Sequence, residues 1–407
     1  MTQTIMKHLK GSVLIMTILA SSCGIEEVGR GKRPDGSDGW RNPSFSIDTS
    51  ATARKVCFLT ALDYPDGYDW KADPGTGSVK CSLVVYADGV PAMKIPVGNE
   101  YHVSSDPDMH RVIKGDLYTD FSTDEETIIK KNGKEIFRYS GREMLMGMAV
   151  SGKDVFTLGK PRQGSGFAYR KNGETIIERS SGWVFPRLRN ERDSISFAFC
   201  ENIESAGGVI GRYYHVMNGR ISQIAVREDL KKVWDVICHE GQVCYIASLT
   251  GVRSPVLIRE NGFKAMDIPE GMEMIDCRLV PAGKVIGIES VCSMNGRSLT
   301  SGLWKDGSLY HMFPSGVTAG GICAEEDGIC CILHSGLAPG KDMIFRCGET
   351  FAVPEGYAVM GDSPIGMMEG ILNVGLSSLS GGKPMIWKDG KTQELDINGC
   401  ICTLTVQ

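Results

Sequence analysis

Apolar runs and polar turns ending in glycine alternate along most of this chain, with the spacing of strands rather than helices. The clearest copies are Val-Val-Tyr-Ala-Asp88-Gly89, Ile-Ile-Lys-Lys-Asn132-Gly133, Tyr-Arg-Lys-Asn172-Gly173, His-Val-Met-Asn218-Gly219, Ile-Arg-Glu-Asn261-Gly262, Trp-Lys-Asp306-Gly307, Phe-Arg-Cys347-Gly348 and Trp-Lys-Asp389-Gly390. Asn-Gly and Asp-Gly tolerate the positive φ angles of a type I′ hairpin, so each copy predicts two strands joined by a tight turn. The turn glycines stand 44, 40, 46, 43, 45, 41 and 42 residues apart, a period of about 43. A weaker series lies 18 to 24 residues upstream of most of them, at Gly115, Gly152, Gly241, Gly283, Gly328 and Gly370. The copy before Gly219 turns instead through Arg189-Asn190-Glu191-Arg192. Two hairpins per unit make four short strands, the blade of an all-β propeller. Almost no segment carries the 3.6-residue period of a helix.

The two ends complete the pattern. Cys400-Ile-Cys402-Thr-Leu-Thr-Val406 is a strand with no partner in its own unit. Lys55-Val-Cys57-Phe-Leu-Thr-Ala61 and Lys80-Cys81-Ser-Leu-Val-Val-Tyr86 open a unit that lacks its innermost strand. Pairing the C-terminal strand into that place closes the ring and removes a free sheet edge. Residues 55–407 then form eight four-stranded blades of about 44 residues each, with seven as the alternative if the first hairpin is an accessory.

Composition narrows the class. Fifty glycines in 407 residues exceed average usage but follow no three-residue period, which excludes collagen. An apolar content of 42% and a net charge of −5 exclude a long disordered chain and a polycationic nucleic-acid binder.

The first residues read as an address. Lys7, His8 and Lys10 precede the apolar stretch Gly11–Ala20 and the small residues Ser21-Ser22-Cys23, the three regions of a secretory signal. The apolar stretch is shorter than the roughly 20 residues needed to span a bilayer. Leu19-Ala20-Ser21-Ser22-Cys23 resembles a bacterial lipobox, although Ala20 stands where leucine is usual. The resemblance implies cleavage after residue 22, acylation of Cys23 and a membrane anchor; the alternative is ordinary signal cleavage that leaves Cys23 a thiol. Glu26 and Glu27 resemble the surface-export signal of Bacteroidetes lipoproteins. Residues 23–54 read as the anchor and a flexible tether. The repeat lacks the Gly-His and Trp-Asp pairing of WD repeats and the regular double glycine of kelch. It resembles the propeller lipoproteins of the Bacteroidetes cell envelope, a resemblance that implies an outer-membrane location and brings no activity with it.

Candidate chemistry is sparse. Thirteen cysteines remain after Cys23, an odd number, mostly in apolar strand contexts. They read as buried hydrophobes, the alternative being stapling disulfides, among them one from the C-terminal strand to Cys57. No CxxC pair points to a metal, and no cofactor motif occurs. The loop 63–79 carries Tyr64, Asp66, Tyr68 and Trp70, aromatics and carboxylates suited to a sugar or a partner pocket. The alternative is an ordered loop with its aromatics tucked against the blade. Trp183, Arg187, Arg189 and Arg192 form a second candidate patch, for an anionic glycan or an acidic partner, or else ordinary solvated strand ends. Trp304 and Trp387 recur at one place in two repeats and predict packing between blades. No nucleophile elbow, HExxH pair or P-loop is present, and no catalytic residues are assigned. The sequence therefore predicts a membrane-anchored, noncatalytic propeller that binds a glycan or protein. A carbohydrate-active hydrolase or lyase and an architectural subunit of an outer-membrane assembly are the alternatives. Oligomeric state is left open.

Overall fold

The computed structural model describes residues 55–407, apart from 70–80, 98–109, 123–124, 142, 162–164, 186–187, 192–193, 206–207, 225–228, 261, 283–284, 295–297, 326–327, 336–340, 361–363 and 382. The expected signal, Cys23 and the expected tether lie outside these residues. Among the described residues all regular structure is strand, and the strands form eight antiparallel sheets of four or five. Each sheet is a blade, and neighbouring innermost strands touch all the way round. The count is eight and not seven.

Blade 1 joins the two ends of the chain. Its innermost strand, Gly399–Val406, pairs with Cys57–Asp63, which pairs in turn with Cys81–Ala87 and then Val90–Val97. Cys57 lies opposite Val406, and Leu62 lies opposite Cys400. That register separates Cys57 from Cys400 and Cys402, so the ring is closed by main-chain hydrogen bonds. All thirteen cysteines beyond Cys23 are thiols.

The interior is a set of slabs, one between each pair of neighbouring blades. Phe58 and Leu62 pack toward blade 2, while Leu59 and Ala61, on the other face of the same strand, pack toward blade 8. Strands buried on both faces need apolar residues at consecutive positions, which is why these runs lack polar alternation. Trp304 fills the slab between blades 5 and 6 and Trp387 the one between blades 7 and 8. Both tryptophans serve packing, as the repeat predicted.

The turn chemistry explains the Asn/Asp-Gly signature. Asn132 and Gly133 both have positive φ, 50° and 78°. The N–H of Asn132 donates to the Leu117 carbonyl, and Asn132 Oδ1 accepts the Leu117 N–H at 2.8 Å. The same side-chain bond recurs at Asp88, Asn172, Asn218, Asp306 and Asp389. Asn or Asp thus supplies both the tolerated φ and the acceptor that fixes the turn to the second strand of its blade. Gly133 has a further role, because Ile95 of the preceding blade lies 2.9 Å from where its Cβ would stand. Phe137 covers Gly173 in the same way.

Candidate functional site

Within a blade, the first-to-second and third-to-fourth turns lie at one end of the strands, and the remaining connections lie at the other. This separates the candidate residues into two faces. Tyr64, Asp66 and Tyr68 follow the second strand of blade 1. Tyr64 and Tyr68 are half-buried, with ring centroids 5.4 Å apart, and both pack on the slab below. Asn398 pins the loop by donating to the carbonyls of Pro65 and Tyr68 at 2.8 and 3.2 Å. Asp66 is exposed. Trp183 begins blade 4 on the same face, 42% exposed and edge-on to Tyr213 at 6.4 Å. Blades 1 and 4 are three places apart in the ring, so these aromatics form two patches. Trp70 and Arg187 lie outside the described residues. Arg189, grouped with them by sequence, turns inward and donates to the Leu279 carbonyl of blade 6 at 3.2 Å.

The opposite face carries a groove that no single motif announced. It has a volume of about 370 Å³ and lies between blades 2 and 3. Two equivalent clusters line it. In blade 2, Asp116 is held by Lys131 at 2.6 Å and Asn132 at 2.8 Å. In blade 3, Asp154 is held by Lys171 at 2.8 Å and Asn172 at 2.9 Å. The hydrogen bond to Lys171, then that to Asn172, holds the Asp154 carboxyl below its ordinary range. The hydrogen bond to Asp116 raises Lys131, whose ammonium also lies over the buried Tyr118 ring at 5.7 Å. Lys114 and Lys153 stand exposed at the rim, and Ile136 adds an apolar contact. The groove thus offers fixed carboxylates for hydroxyl groups, and lysines suited to an acidic group. A legible signal existed: the Lys-Asn-Gly turn occurs in these two consecutive repeats, each with an aspartate opening the second strand.

Further polar clusters went unread in the sequence. Arg170 grips Glu143 through two bonds of 2.7 and 2.8 Å, with both side chains 8% exposed. The guanidinium lies over the Tyr139 ring of blade 2 at 4.1 Å. Burial, then the nearby Glu143 charge, pushes the Tyr139 hydroxyl well above its usual range. So closed a cluster joins two blades and presents nothing to a solute. At the other side of the ring, His334 Nδ1 lies 3.0 Å from Asp342, whose second oxygen accepts the Val359 N–H of blade 8. Among the described residues no group of three or more His, Cys, Asp or Glu is placed to hold a metal, and no helix is long and apolar enough to cross a membrane.

Comparison with solved structures finds propellers. The propeller domain of the Trilobed protease from Pyrococcus furiosus is 9% identical, with a TM-score of 0.44 over 73% of this chain and 94% of that one. The dihydro-heme d1 dehydrogenase NirN is 8% identical, with a TM-score of 0.49 over 85% of this chain and 74% of that one. An acylaminoacyl peptidase from Pyrococcus horikoshii is 9% identical, with a TM-score of 0.44 over 74% of this chain and 51% of that one, so the match spans about half that enzyme. At such identities the likeness is one of fold alone. No protein-family model matches the chain, and comparison with curated proteins finds no match.

Proposed function

We propose that this chain is a lipid-anchored propeller of the cell envelope that binds a glycan bearing acidic groups, without turning it over. The observation that carries the binding reading is the groove between blades 2 and 3. Its volume falls within the usual range for ligand sites, and its paired Asp116 and Asp154 have their orientations set before any ligand arrives. The lipobox ending in Cys23 supports the anchor.

Glycan-array binding, with turnover assays on the same polysaccharides, tests the reading. Uronate-containing glycans should bind, and the Lys114→Ala/Lys153→Ala double variant should weaken them about tenfold while leaving thermal stability unchanged. Hydrolysis or elimination of any bound glycan would overturn the noncatalytic role, and equal binding by the double variant would move the site elsewhere. Labelled palmitate should enter the wild type and be lost in Cys23→Ala; a wild type that stays unlabelled removes the anchor.

A further inference from the structure

Blade 7 departs from the other blades at its third-to-fourth turn. Seven of the eight turns in the series carry Asn or Asp before glycine, and this one carries Cys347. The exchange keeps the backbone, since Cys347 has φ 48° and donates its N–H to the Ile329 carbonyl. The side chain makes different contacts. Cys347 Sγ occupies space that a Cβ on Gly328 would fill, and it lies 3.9 Å from Cys330 Sγ on the second strand, Gly328–Ser335. Cys323, on the innermost strand, faces Cys330 directly in the register. Three thiols from three neighbouring segments therefore meet at one rim of the ring.

Their exposures differ in a useful order. Cys347 is exposed, Cys323 is intermediate, and Cys330 is completely buried. A hydrogen bond with Cys323, then burial, holds the Cys330 thiol far above its ordinary range. Cys330 is thus a poor first nucleophile, and an external reagent reaches Cys347 first.

We propose that Cys347 and Cys330 form a reversible dithiol–disulfide site that exchanges with external disulfides and staples the outer turn of blade 7 to the second strand. In the first step the Cys347 thiolate attacks one sulfur of an external disulfide. That S–S bond breaks, one thiolate leaves, and a mixed disulfide forms on Cys347. Cys330 then attacks the Cys347 sulfur, its proton leaving with the second departing thiolate. Two protein thiols and one external disulfide become one protein disulfide and two external thiols, so the electron pair passes to the external disulfide. The two sulfurs must approach from 3.9 Å to about 2 Å. Cys330 belongs to the slab between blades 7 and 8, whereas Cys347 is exposed on its turn, so the approach falls to the turn.

The experiment equilibrates the whole protein in glutathione redox buffers, blocks remaining thiols by alkylation under denaturing conditions, and maps peptides by mass spectrometry. The expected product is a linked pair of peptides containing Cys330 and Cys347, two hydrogens lighter than their sum and reversed by reductant. Cys347→Asn restores the residue type of the other turns and should fold as the wild type does, with Cys330 at least tenfold less oxidised. Cys330→Ala should instead accumulate glutathione on Cys347. A Cys323–Cys330 link, a Cys347 that stays alkylatable throughout, or undiminished Cys330 oxidation in Cys347→Asn would each overturn the proposal. If Cys347→Asn does not fold, the glutathione adduct of Cys330→Ala decides. None of these outcomes depends on glycan binding or on the anchor.

Discussion

Gly159→Ala should destabilise the ring through a residue sixteen positions away. A Cβ at this position would run into Glu143 Oε2, the oxygen that Arg170 Nη1 holds at 2.7 Å. With both partners 8% exposed, displacing the carboxylate leaves a guanidinium with little water to replace it. Removing one partner of a buried pair costs about 3–5 kcal/mol, so Gly159→Ala should cost about 3 kcal/mol in the wild type. Glu143→Ala should cost a similar amount for the same reason. The costs should not add. Once Glu143 ends at Cβ, the nearest remaining contact to the new methyl is that Cβ at 3.4 Å, ordinary van der Waals separation. Gly159→Ala in the Glu143→Ala background should therefore cost under about 1 kcal/mol, a coupling of about 2 kcal/mol or more. Urea unfolding of the four proteins, followed by tryptophan fluorescence and compared at constant m, measures the cycle. Additive costs would refute the claim that Gly159 exists to seat the carboxylate, and a small cost for Glu143→Ala would refute the closure of the pair.

Two further outcomes follow from the same physical reasoning. Asn132→Gly keeps the positive φ but removes the acceptor for the buried Leu117 N–H, and should cost about 1 kcal/mol; Asn132→Ala adds backbone strain at φ 50° and should cost about 1 kcal/mol more, both read from urea midpoints. Burial pushes the His215 ring from 6.5 down to about 4. The unfolded chain then binds the extra proton first, so stability should be full above about pH 6.5 and fall between 6.5 and 4, by an amount on the order of 3 kcal/mol. His215→Gln should flatten that window in a pH series of urea midpoints, and an unchanged slope would place the titration elsewhere.

The candidate sites were legible to different degrees. The aspartates of the groove stand in a repeated context, but nothing local says that blades 2 and 3 leave space between them. For Tyr64 and Tyr68 the sequence left a ligand-facing loop and a tucked one both open, because composition does not show that both rings are half-buried or that Asn398 pins the loop through its carbonyls. Arg189 sat among residues that suggested a basic patch, yet its partner is the Leu279 carbonyl, 90 positions along the chain.

What the sequence determined by itself is whatever depends on neighbours in the chain. Positive φ at Asn132-Gly133 and its six described counterparts is a property of two residues, so the turns, their period of about 43 and hence the propeller could be read directly. The closing strand followed by counting, because a ring of four-stranded blades left one strand over at the C-terminal end and one strand missing from the first unit. Only the tertiary structure decided what depends on distance in space. The same anchor glycine that permits a turn also receives Ile95 or Phe137 from the blade before it, and Gly159 makes room for a carboxylate. Cys347, which breaks the pattern of its turn, meets Cys330 because a hairpin brings them together. These relations join residues sixteen to thirty-eight positions apart, and packing rather than local backbone preference fixes them.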